Sequence, residues 1–374
     1  MVLYYVKKLD WLLCGLVGLL VVISLISLWS LSLRSESLFY KQIIWIATGF
    51  IVCFAASTFD YRVFKDHGGV ILLLYAILVL SLIVLFMLGV ETRGVVSWFH
   101  VKGITLQPVE PVKLILVILL AKYFSKRHIE IQQMRHLFIS GFYAFVPFGL
   151  VMMQPDLGSA AILMMIWISS TLFSGIKFSH FASLILIFAL LAGVGWTTVL
   201  KPYQKERIIS FLNPYADPRG AGYNTIQSLI AVGSGGVWGK GIGQGSQSHL
   251  LFLPEAETDF IFAAFAEEWG LVGNTFLLLI YACLMFRMLK IGRESENNFA
   301  KLFVLGFVTL IFAQIVIHIG MNTALFPITG ITLPFVSYGG SSFVTLMAGL
   351  GIIQSIHIYS RKEVSQKGSA SAIS

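Results

Sequence analysis

The chain has 374 residues, of which 57% are hydrophobic and 12% are charged, and its mean hydropathy is +0.84. This balance excludes an ordinary water-soluble domain and predicts a protein that crosses a membrane several times. The formal net charge is +8. Lysines and arginines placed at the ends of hydrophobic segments account for most of it, so the charge gives little reason to invoke a nucleic-acid partner.

Ten apolar segments are long enough to cross a bilayer, which takes about 20 apolar residues in a helix. They lie at 12–31, 40–58, 70–89, 108–124, 137–153, 157–174, 180–200, 260–286, 301–323 and 335–358. The sequence therefore predicts an all-α polytopic membrane protein with about ten transmembrane helices in a single integral domain, residues 1–362. Residues 201–258 form a large extracytoplasmic loop between helices 7 and 8. Residues 363–374, rich in small polar residues, are predicted to be a disordered cytoplasmic tail.

The distribution of basic residues predicts the orientation in the membrane. The first apolar segment follows Lys7 and Lys8 and resembles a signal peptide, but it lacks a small-residue cleavage site, so we expect it to be retained. With the N-terminus inside, most lysines and arginines of the short loops fall on the cytoplasmic side. Both termini are therefore expected in the cytoplasm, and the loop 201–258 on the opposite side.

Two charged residues stand near the start of the fourth segment, within Gln107-Pro-Val-Glu-Pro-Val-Lys-Leu. Glu110 and Lys113 are three residues apart and share one face of a helix, so each would neutralise the other near the outer surface. The pair has two interpretations. Either it only allows this helix to insert, or Lys113 also meets an anionic group of a substrate.

A second carboxylate and an arginine lie close to the same outer surface. Asp156 occupies a very short turn before the sixth segment, where an aspartate is typically a helix N-cap. Arg207 lies in Tyr203-Gln-Lys-Glu-Arg-Ile-Ile-Ser-Phe-Leu, whose apolar spacing indicates an amphipathic helix on the membrane surface. Both residues are candidates to line an outer cavity. The alternatives are a purely local cap for Asp156 and an interfacial anchor for Arg207.

Seven glycines lie in the segment Gly233-Ser-Gly-Gly-Val-Trp-Gly-Lys-Gly-Ile-Gly-Gln-Gly245. The segment lacks the spacing of a P-loop or of a dinucleotide-binding turn. Glycines at this density allow one stretch of backbone to approach another backbone, or a phosphate, very closely. The sequence leaves both an anion-binding turn and a tightly folded surface loop open.

Asp259 opens the eighth segment, within Leu253-Pro-Glu-Ala-Glu-Thr-Asp-Phe-Ile-Phe. Nearby hydrocarbon and the neighbouring acids Glu255, Glu257, Glu267 and Glu268 are expected to raise the pKa of its carboxyl group toward neutrality, as a general base requires. Asp259 is therefore a candidate general base at the outer boundary of the bilayer, a position that suits chemistry on a lipid-linked substrate. The alternative is that Asp259 only caps the following helix.

Five motifs resemble those of a known family. They are Gln107-Pro-x-Glu, Gln154-Pro-Asp-Leu-Gly-Ser, Leu253-Pro-Glu-x-x-Thr-Asp-Phe-Ile-Phe-Ala, Glu267-Glu-x-Gly-Leu-x-Gly and Leu333-Pro-Phe-Val-Ser-Tyr-Gly-Gly-Ser-Ser. Together they resemble the shape, elongation, division and sporulation (SEDS) polymerases over essentially the whole chain. Two further motifs, Gly243-x-Gly-Ser-Gln-Ser and Phe326-Pro-Ile-Thr-Gly-Ile-Thr-Leu-Pro, are closer to the RodA-like branch than to the FtsW-like branch.

The resemblance implies a peptidoglycan glycosyltransferase of the bacterial cytoplasmic membrane. Such an enzyme joins lipid II units into glycan strands at the outer face, with a class B penicillin-binding protein as its transpeptidase partner. The resemblance marks Asp259 as the essential carboxylate. It marks Glu110, Lys113 and Asp156 as substrate-binding positions, and Arg207 as a weaker match.

The chain departs from the family pattern before the fourth segment. The family usually has an arginine in Gly-x-x-Arg-Trp-Ile, whereas this chain has Ser97 at that position. If the arginine of other members contacts substrate, Arg93 or Lys102 has to take its place here. The sequence does not distinguish between the two.

The mechanism implied by the resemblance is an inverting sugar transfer. Asp259 removes the proton from the 4-hydroxyl of the acceptor N-acetylglucosamine as that oxygen attacks C1 of the donor N-acetylmuramic acid, and undecaprenyl pyrophosphate leaves. A positioned base contributes about 10²–10⁴-fold. Lys113 and Arg207 are the expected sources of positive charge for the pyrophosphate. A divalent cation, Mg²⁺ or Mn²⁺, is a further candidate, although the sequence contains no dedicated metal cage.

Other classes of function fit the same composition. A lipid flippase or secondary transporter also has many spans and intramembrane charges, but it has no need of a base at the outer rim. A structural scaffold for the cell-wall machinery is the third class, and the cost of keeping Glu110, Lys113 and Asp259 near lipid counts against it. Within the family, the alternative is a division-type, FtsW-like polymerase.

Overall fold

The computed structural model describes residues 5, 7–31, 36–88, 98–101, 104–126, 134–175, 211, 213–220 and 222–371. Over these residues the chain is a bundle of α-helices with one short β-ribbon. The helices, numbered in chain order, are α1 Trp11–Leu31, α2 Glu36–Thr58, α3 Arg62–Asp66, α4 Gly68–Leu88, α5 Val109–Ser125, α6 Met134–Met153, α7 Leu157–Phe173, α8 Tyr223–Ser234, α9 Ser246–His249, α10 Ile261–Glu294, α11 Asn298–Asn322 and α12 Gly340–Ser371, with a 3₁₀ turn at Pro214–Ala216. The antiparallel strands are β1 Phe99–Val101 and β2 Ile104–Leu106.

Seven of the described helices are long and apolar enough to cross a membrane, namely α1, α2, α4, α6, α10, α11 and the first part of α12. The shorter helices α5 and α7 pack among them. These nine helices correspond to nine of the ten predicted segments, and the fold class, an all-α polytopic membrane protein, is confirmed. The predicted seventh segment, 180–200, lies outside the described residues, so the total of ten stays a prediction. Hydropathy did not reveal the β-ribbon, because each of its strands has only 3 residues.

The last helix extends into the segment that was predicted to be the C-terminal tail. Helix α12 continues to Ser371 and so includes most of the segment 363–374, where the composition predicts disorder. No proline interrupts this stretch, and its Lys, Gln and Ala residues are compatible with a helix. The division of the chain at residue 362 stays a prediction.

Helix α11 occupies the centre of the bundle, where it packs against α5, α7 and α10. Three of its phenylalanines, Phe299, Phe303 and Phe307, stack along one face at four-residue intervals. Helix α12 packs along α2. At Gly351 of α12 an added Cβ would lie 2.5 Å from the Cys53 carbonyl oxygen of α2. A small residue therefore sets this helix–helix distance, as is common between membrane helices.

Helix α10 is broken at Gly270, where φ is 64° and ψ is −162°. The Gly-rich segment 233–245 lies against this break and exchanges backbone hydrogen bonds with it. The Leu271 amide donates to the Gly236 carbonyl at 2.9 Å, and the Lys240 amide donates to the Glu267 carbonyl at 3.0 Å. Gly235 and Gly239 thus permit one backbone to approach another, since an added Cβ on them would lie 2.0 and 2.1 Å from the Ala266 and Glu268 carbonyl oxygens. An anion-binding role of the segment stays a prediction.

Two buried acids of α10 fasten the same segment through their side chains. Glu267 Oε1 accepts a hydrogen bond from Lys240 Nζ at 2.7 Å. Glu268 Oε1 accepts one from Ser30 Oγ at 2.5 Å and lies 3.1 Å from His249 Nε2. The sequence suggested that both acids add negative charge around Asp259. Their carboxylates also bind the loop, because donors from that loop and from α1 converge on them. Their effect on Asp259 stays a prediction.

Gly239 tests whether the close approach of the loop stabilises the fold. Its φ is 80°, and an added Cβ would lie 2.1 Å from the Glu268 carbonyl oxygen. We expect Gly239→Ala to lower the free energy of unfolding by about 2–4 kcal/mol, because it combines backbone strain with a steric clash. Thermal unfolding of the detergent-purified protein measures the change. Gly233→Ala is the matched control, since nothing lies within 4 Å of its added Cβ, and equal melting temperatures of the two variants would contradict the expectation.

At the opposite end of the bundle, buried Asp10 joins three helices. Its carboxylate accepts hydrogen bonds from the Arg287 guanidinium of α10 and, at 2.8 Å, from the Leu13 amide of α1. His357 of α12 lies 3.8 Å away. Burial alone would raise the pKa of Asp10, but the Arg287 and Leu13 hydrogen bonds and the nearby positive charges hold it below its ordinary value.

The lowered pKa of Asp10 gives a pH dependence with a definite sign. The stabilisation is present above the ordinary aspartate pKa of about 3.9 and is lost as the pH falls through the lower folded value. We expect Asp10→Asn to lower the melting temperature at neutral pH and to flatten its decline under acid. Melting curves of the wild type and the variant from neutral to acidic pH provide the check. Parallel curves would show that the Asp10 charge makes no contribution.

Candidate active site

Asp259 lies in the turn that leads into α10, and its side chain is half-buried. The carbonyls of residues 257–259 are each held by a different donor. The Glu257 carbonyl accepts a hydrogen bond from the Tyr338 amide at 2.9 Å. The Thr258 carbonyl accepts one from the Ser337 hydroxyl at 2.8 Å, and the Asp259 carbonyl accepts one from the Asn322 side-chain amide at 3.0 Å. Because three consecutive peptide units are fixed, the carboxyl group of Asp259 is attached to an immobilised backbone, as a site that must hold its geometry requires.

The start of α10 is capped by Asn322. The N-cap position of α10 is Phe260, which provides no side-chain hydrogen bond. Asn322 Oδ1 instead accepts from the Ala263 amide at 3.1 Å, while Asn322 Nδ2 holds the Asp259 carbonyl. The capping role that the sequence offered as the alternative for Asp259 is therefore filled by a residue of another helix.

Glu110 and Lys113 form the ion pair that their spacing predicts, in the first turns of α5. Lys113 Nζ lies 2.7 Å from Glu110 Oε1, the Lys113 side chain is fully buried, and Glu110 is almost so. Removing either partner would leave an uncompensated charge inside the bundle, which typically costs about 3–5 kcal/mol. The pair thus meets the structural requirement for insertion. A substrate-binding role for Lys113 stays a prediction.

Asp156 caps α7, as the sequence predicts. Its Oδ1 accepts a hydrogen bond from the Ser159 amide at 2.9 Å. Burial raises the pKa of the Asp156 carboxyl, whereas the Ser159 hydrogen bonds and the Lys113 charge act in the opposite direction and Glu110 adds to the rise. Asp156 therefore belongs to the same electrostatic cluster as Glu110 and Lys113. Its contact with a substrate stays a prediction.

One stretch of chain between α11 and α12 connects Asp259 to this cluster. An added Cβ on Gly330 would lie 3.6 Å from Asp259 Oδ2, and an added Cβ on Gly158 of α7 would lie 2.5 Å from Ile331. His318 of α11 fixes the stretch, with Nδ1 at 2.6 Å from the Ile331 carbonyl oxygen. Asp259 and the α7 end that carries Asp156 thus flank the same few residues, and we define this arrangement as the candidate active site.

Sequence reasoning missed the residues that support Asp259. Asn322 ends an apolar segment, and a buried amide in a membrane span is a signal that could have singled it out. Ser337 lies in a motif that was noted only for its resemblance. Arg207 lies outside the described residues. The same is true of Ser97 and of Arg93 and Lys102, the two candidates to replace the family's arginine. Across the described part of the chain, no group of three or more His, Cys, Asp or Glu side chains is arranged to hold a metal ion.

These features define a multi-pass membrane protein with a fixed, half-buried carboxyl group at the end of its helix bundle. The family model of the FtsW, RodA and SpoVE cell cycle proteins matches residues 6–362, and the chain belongs to this family. It is 35% identical over 348 residues to stage V sporulation protein E of Bacillus subtilis, and the match covers 92% of this chain and 94% of that protein. It is 34% identical over 347 residues to the peptidoglycan glycosyltransferase MrdB of Escherichia coli, at 93% and 92% coverage.

The fold also matches a solved structure. The chain superimposes with a TM-score of 0.79 on a chain from a solved peptidoglycan synthase complex, described for its structural coordination of polymerization and crosslinking. The two chains are 29% identical, and the match covers 93% of this chain and 97% of the other. The helix arrangement described above is therefore similar to that of a chain in a peptidoglycan synthase complex.

A double-mutant cycle on the buried ion pair separates its two interpretations. We expect Glu110→Gln and Lys113→Met each to lower the free energy of unfolding by about 3–5 kcal/mol, because each leaves one buried charge unpaired. The double variant should recover most of that loss, as measured by thermal unfolding. If Lys113 also binds substrate, the double variant stays deficient in glycan synthesis despite its recovered stability. Recovery of both stability and synthesis would show that the pair is structural only.

Proposed function

We propose that this chain is a peptidoglycan glycosyltransferase that polymerises lipid II into glycan strands, with a RodA-like role in cell elongation and shape. The observation that carries the proposal is Asp259, a half-buried carboxyl group on a backbone fixed at three consecutive carbonyls. A scaffold protein has no use for an acid held in this way. Membership of the family and the glycosyltransferase relatives support the same activity.

In the proposed reaction Asp259 acts as general base. Its carboxylate takes the proton of the acceptor 4-hydroxyl as the hydroxyl oxygen forms a bond to C1 of the donor sugar. The bond from C1 to the pyrophosphate oxygen breaks on the opposite face, so the configuration inverts. A hydroxyl group is a weak nucleophile at neutral pH, and a base held in place contributes about 10²–10⁴-fold.

The leaving pyrophosphate requires positive charge near the candidate active site. Lys113 is suited to supply it because its charge is buried, where electrostatic interactions are stronger than in water. Glu110 keeps the lysine in place by the 2.7 Å contact, and Asp156 lies in the same electrostatic cluster. Arg207 remains a proposed second contact. A divalent cation, Mg²⁺ or Mn²⁺, remains a proposed further source of charge at the phosphates.

The proposed location is the bacterial cytoplasmic membrane, with both termini in the cytoplasm and Asp259 at the outer face. The basic residues of the short loops support this orientation. The proposed partner is a class B penicillin-binding protein, which would crosslink the new strands. The structural likeness to a chain of a peptidoglycan synthase complex supports a partner of this kind.

Two alternatives remain distinct from this proposal. Because the family also includes FtsW and SpoVE, and stage V sporulation protein E matches closely, a division-type or sporulation-type role is the alternative within the family. A lipid-precursor flippase is the alternative outside it. Detergent-solubilised protein has no membrane to move a lipid across, so glycan synthesis from lipid II under these conditions identifies a polymerase.

Asp259→Asn tests the proposed base. The variant keeps the size of the side chain but removes its basicity, so we expect correct membrane insertion and an unchanged melting temperature. Glycan synthesis from lipid II should fall by about 10²-fold or more. Glu257→Gln is the matched control, because it removes a carboxylate from the same turn and leaves the backbone carbonyl in place. Comparable synthesis by Asp259→Asn and the wild type would exclude Asp259 as the base.

A further inference from the structure

A second polar site lies at the end of the bundle opposite to Asp259. Helix α5 carries Lys113 in its second turn and Lys122 in its last turn, about 13 Å further along the axis. The N-terminus of α4 begins beside Lys122 at Gly68. The proposed glycosyl transfer uses Lys113, but it uses neither Lys122 nor the N-terminus of α4.

Lys122 carries a buried ammonium group that has no hydrogen-bond partner among the described residues. The residue is 8% exposed, and its Nζ makes no hydrogen bond within the part of the chain that the structure describes. A buried charge without a counter-ion is costly, so such groups in proteins are normally paired. Asp66 attracts Lys122 and Lys126 repels it, but the exposed Asp66 side chain is too far away to form an ion pair with it. An anion is therefore expected to bind next to Lys122 Nζ.

The amide end of α4 faces the same position. An added Cβ on Gly68 would lie 3.0 Å from Lys122 Nζ. The backbone amides of Gly68, Gly69 and Val70 donate to no acceptor among the described residues. The first turn of a 21-residue helix presents such free amides together with the positive end of the helix dipole. Phosphate groups commonly bind where free amides and a lysine converge in this way.

We propose that Lys122 and the amide end of α4 bind a phosphate group, and that the phosphodiester of an anionic phospholipid supplies it. The site lies where spanning helices end, which is the level of the lipid headgroups. Phe59, Val63 and Val70 expose 68%, 49% and 53% of their surfaces nearby along the chain and provide apolar contacts for acyl chains. Lys65, in the last turn of α3, adds an exposed positive charge nearby along the chain, whereas Arg62 is paired with Asp60 at 3.5 Å. This inference does not depend on the proposed enzymatic activity.

The experiment counts lipids bound to the detergent-purified full-length chain by native mass spectrometry during titration with phosphatidylglycerol. We expect Lys122→Met to bind the first lipid at least about tenfold more weakly than the wild type, because a charge-assisted hydrogen bond is lost. Lys301→Met should bind like the wild type. It is the matched control, since Lys301 is an exposed lysine at the same end of the bundle. Phosphatidylcholine, which carries no net charge, should bind equally weakly to all three proteins.

Two further variants keep the test decisive if Lys122→Met does not fold. Lys122→Arg retains the charge and should retain lipid binding. Gly68→Ala retains the lysine but places a methyl group beside Nζ, so it should weaken binding. Equal phosphatidylglycerol binding by wild type, Lys122→Met and Gly68→Ala would overturn the proposal.

A titration with inorganic phosphate distinguishes a phospholipid headgroup from free phosphate as the occupant of the site. If a phospholipid occupies the site, inorganic phosphate should neither displace phosphatidylglycerol nor raise the melting temperature. Stabilisation by inorganic phosphate that disappears in Lys122→Met, without selective lipid binding, would retain the phosphate site and reject the lipid as its occupant.

Discussion

The arrangement at the candidate active site depends on three hydrogen bonds to consecutive carbonyls at residues 257–259. Their donors come from the end of α11 and from the turn before α12, and that turn is itself fixed from two further directions. Tyr281 of α10 donates to the Pro334 carbonyl at 2.6 Å, and Ser24 of α1 donates to the Val336 carbonyl at 2.7 Å. Asp259 is thus supported by three helices, α1, α10 and α11, and by the turn before α12, although it belongs to a short turn itself. A catalytic carboxyl needs this support, because small displacements of a reacting group cost large factors in rate.

The second constraint is the cost of charge inside a membrane bundle. Glu110 and Lys113 satisfy each other at 2.7 Å, so α5 carries a buried cation without a buried net charge. Such a pair contributes little to stability by itself, since the loss of hydration offsets its attraction. Its value lies in keeping a lysine where solvent cannot screen it. Asp156 adds a carboxyl whose protonation is sensitive to both partners, which couples the cap of α7 to the pair.

The sequence predicted features that depend on neighbours along the chain. The lengths of the apolar segments predicted nine of the described helices. The three-residue spacing of Glu110 and Lys113 predicted their ion pair, and the position of Asp156 just before a helix predicted its role as the N-cap. Sequence analysis failed where distant segments meet. Asn322 donates to the Asp259 carbonyl across 63 residues of chain and Ser337 donates to the Thr258 carbonyl across 79, and no local pattern encodes such contacts. The contacts of Glu267 and Glu268 were not predicted for the same reason, because most of the donors that bind them fold back from the Gly-rich segment and the residues that follow it.

The break in α10 and the support of Asp259 differ in how much of the chain each needs. Lys240 binds Glu267 across 27 residues, and Gly243 binds Glu268 across 25. The hydrogen bonds at the break in α10 can therefore form soon after α10 is synthesised. The support of Asp259 requires residues up to 338, and through Ser24 it spans 312 residues. Contacts of low sequence separation generally form first. A nascent chain that ends before residue 337 would therefore have its Gly-rich segment in place but would lack the Ser337 and Tyr338 hydrogen bonds that support Asp259. Competence for chemistry would arrive only after most of the chain has been synthesised.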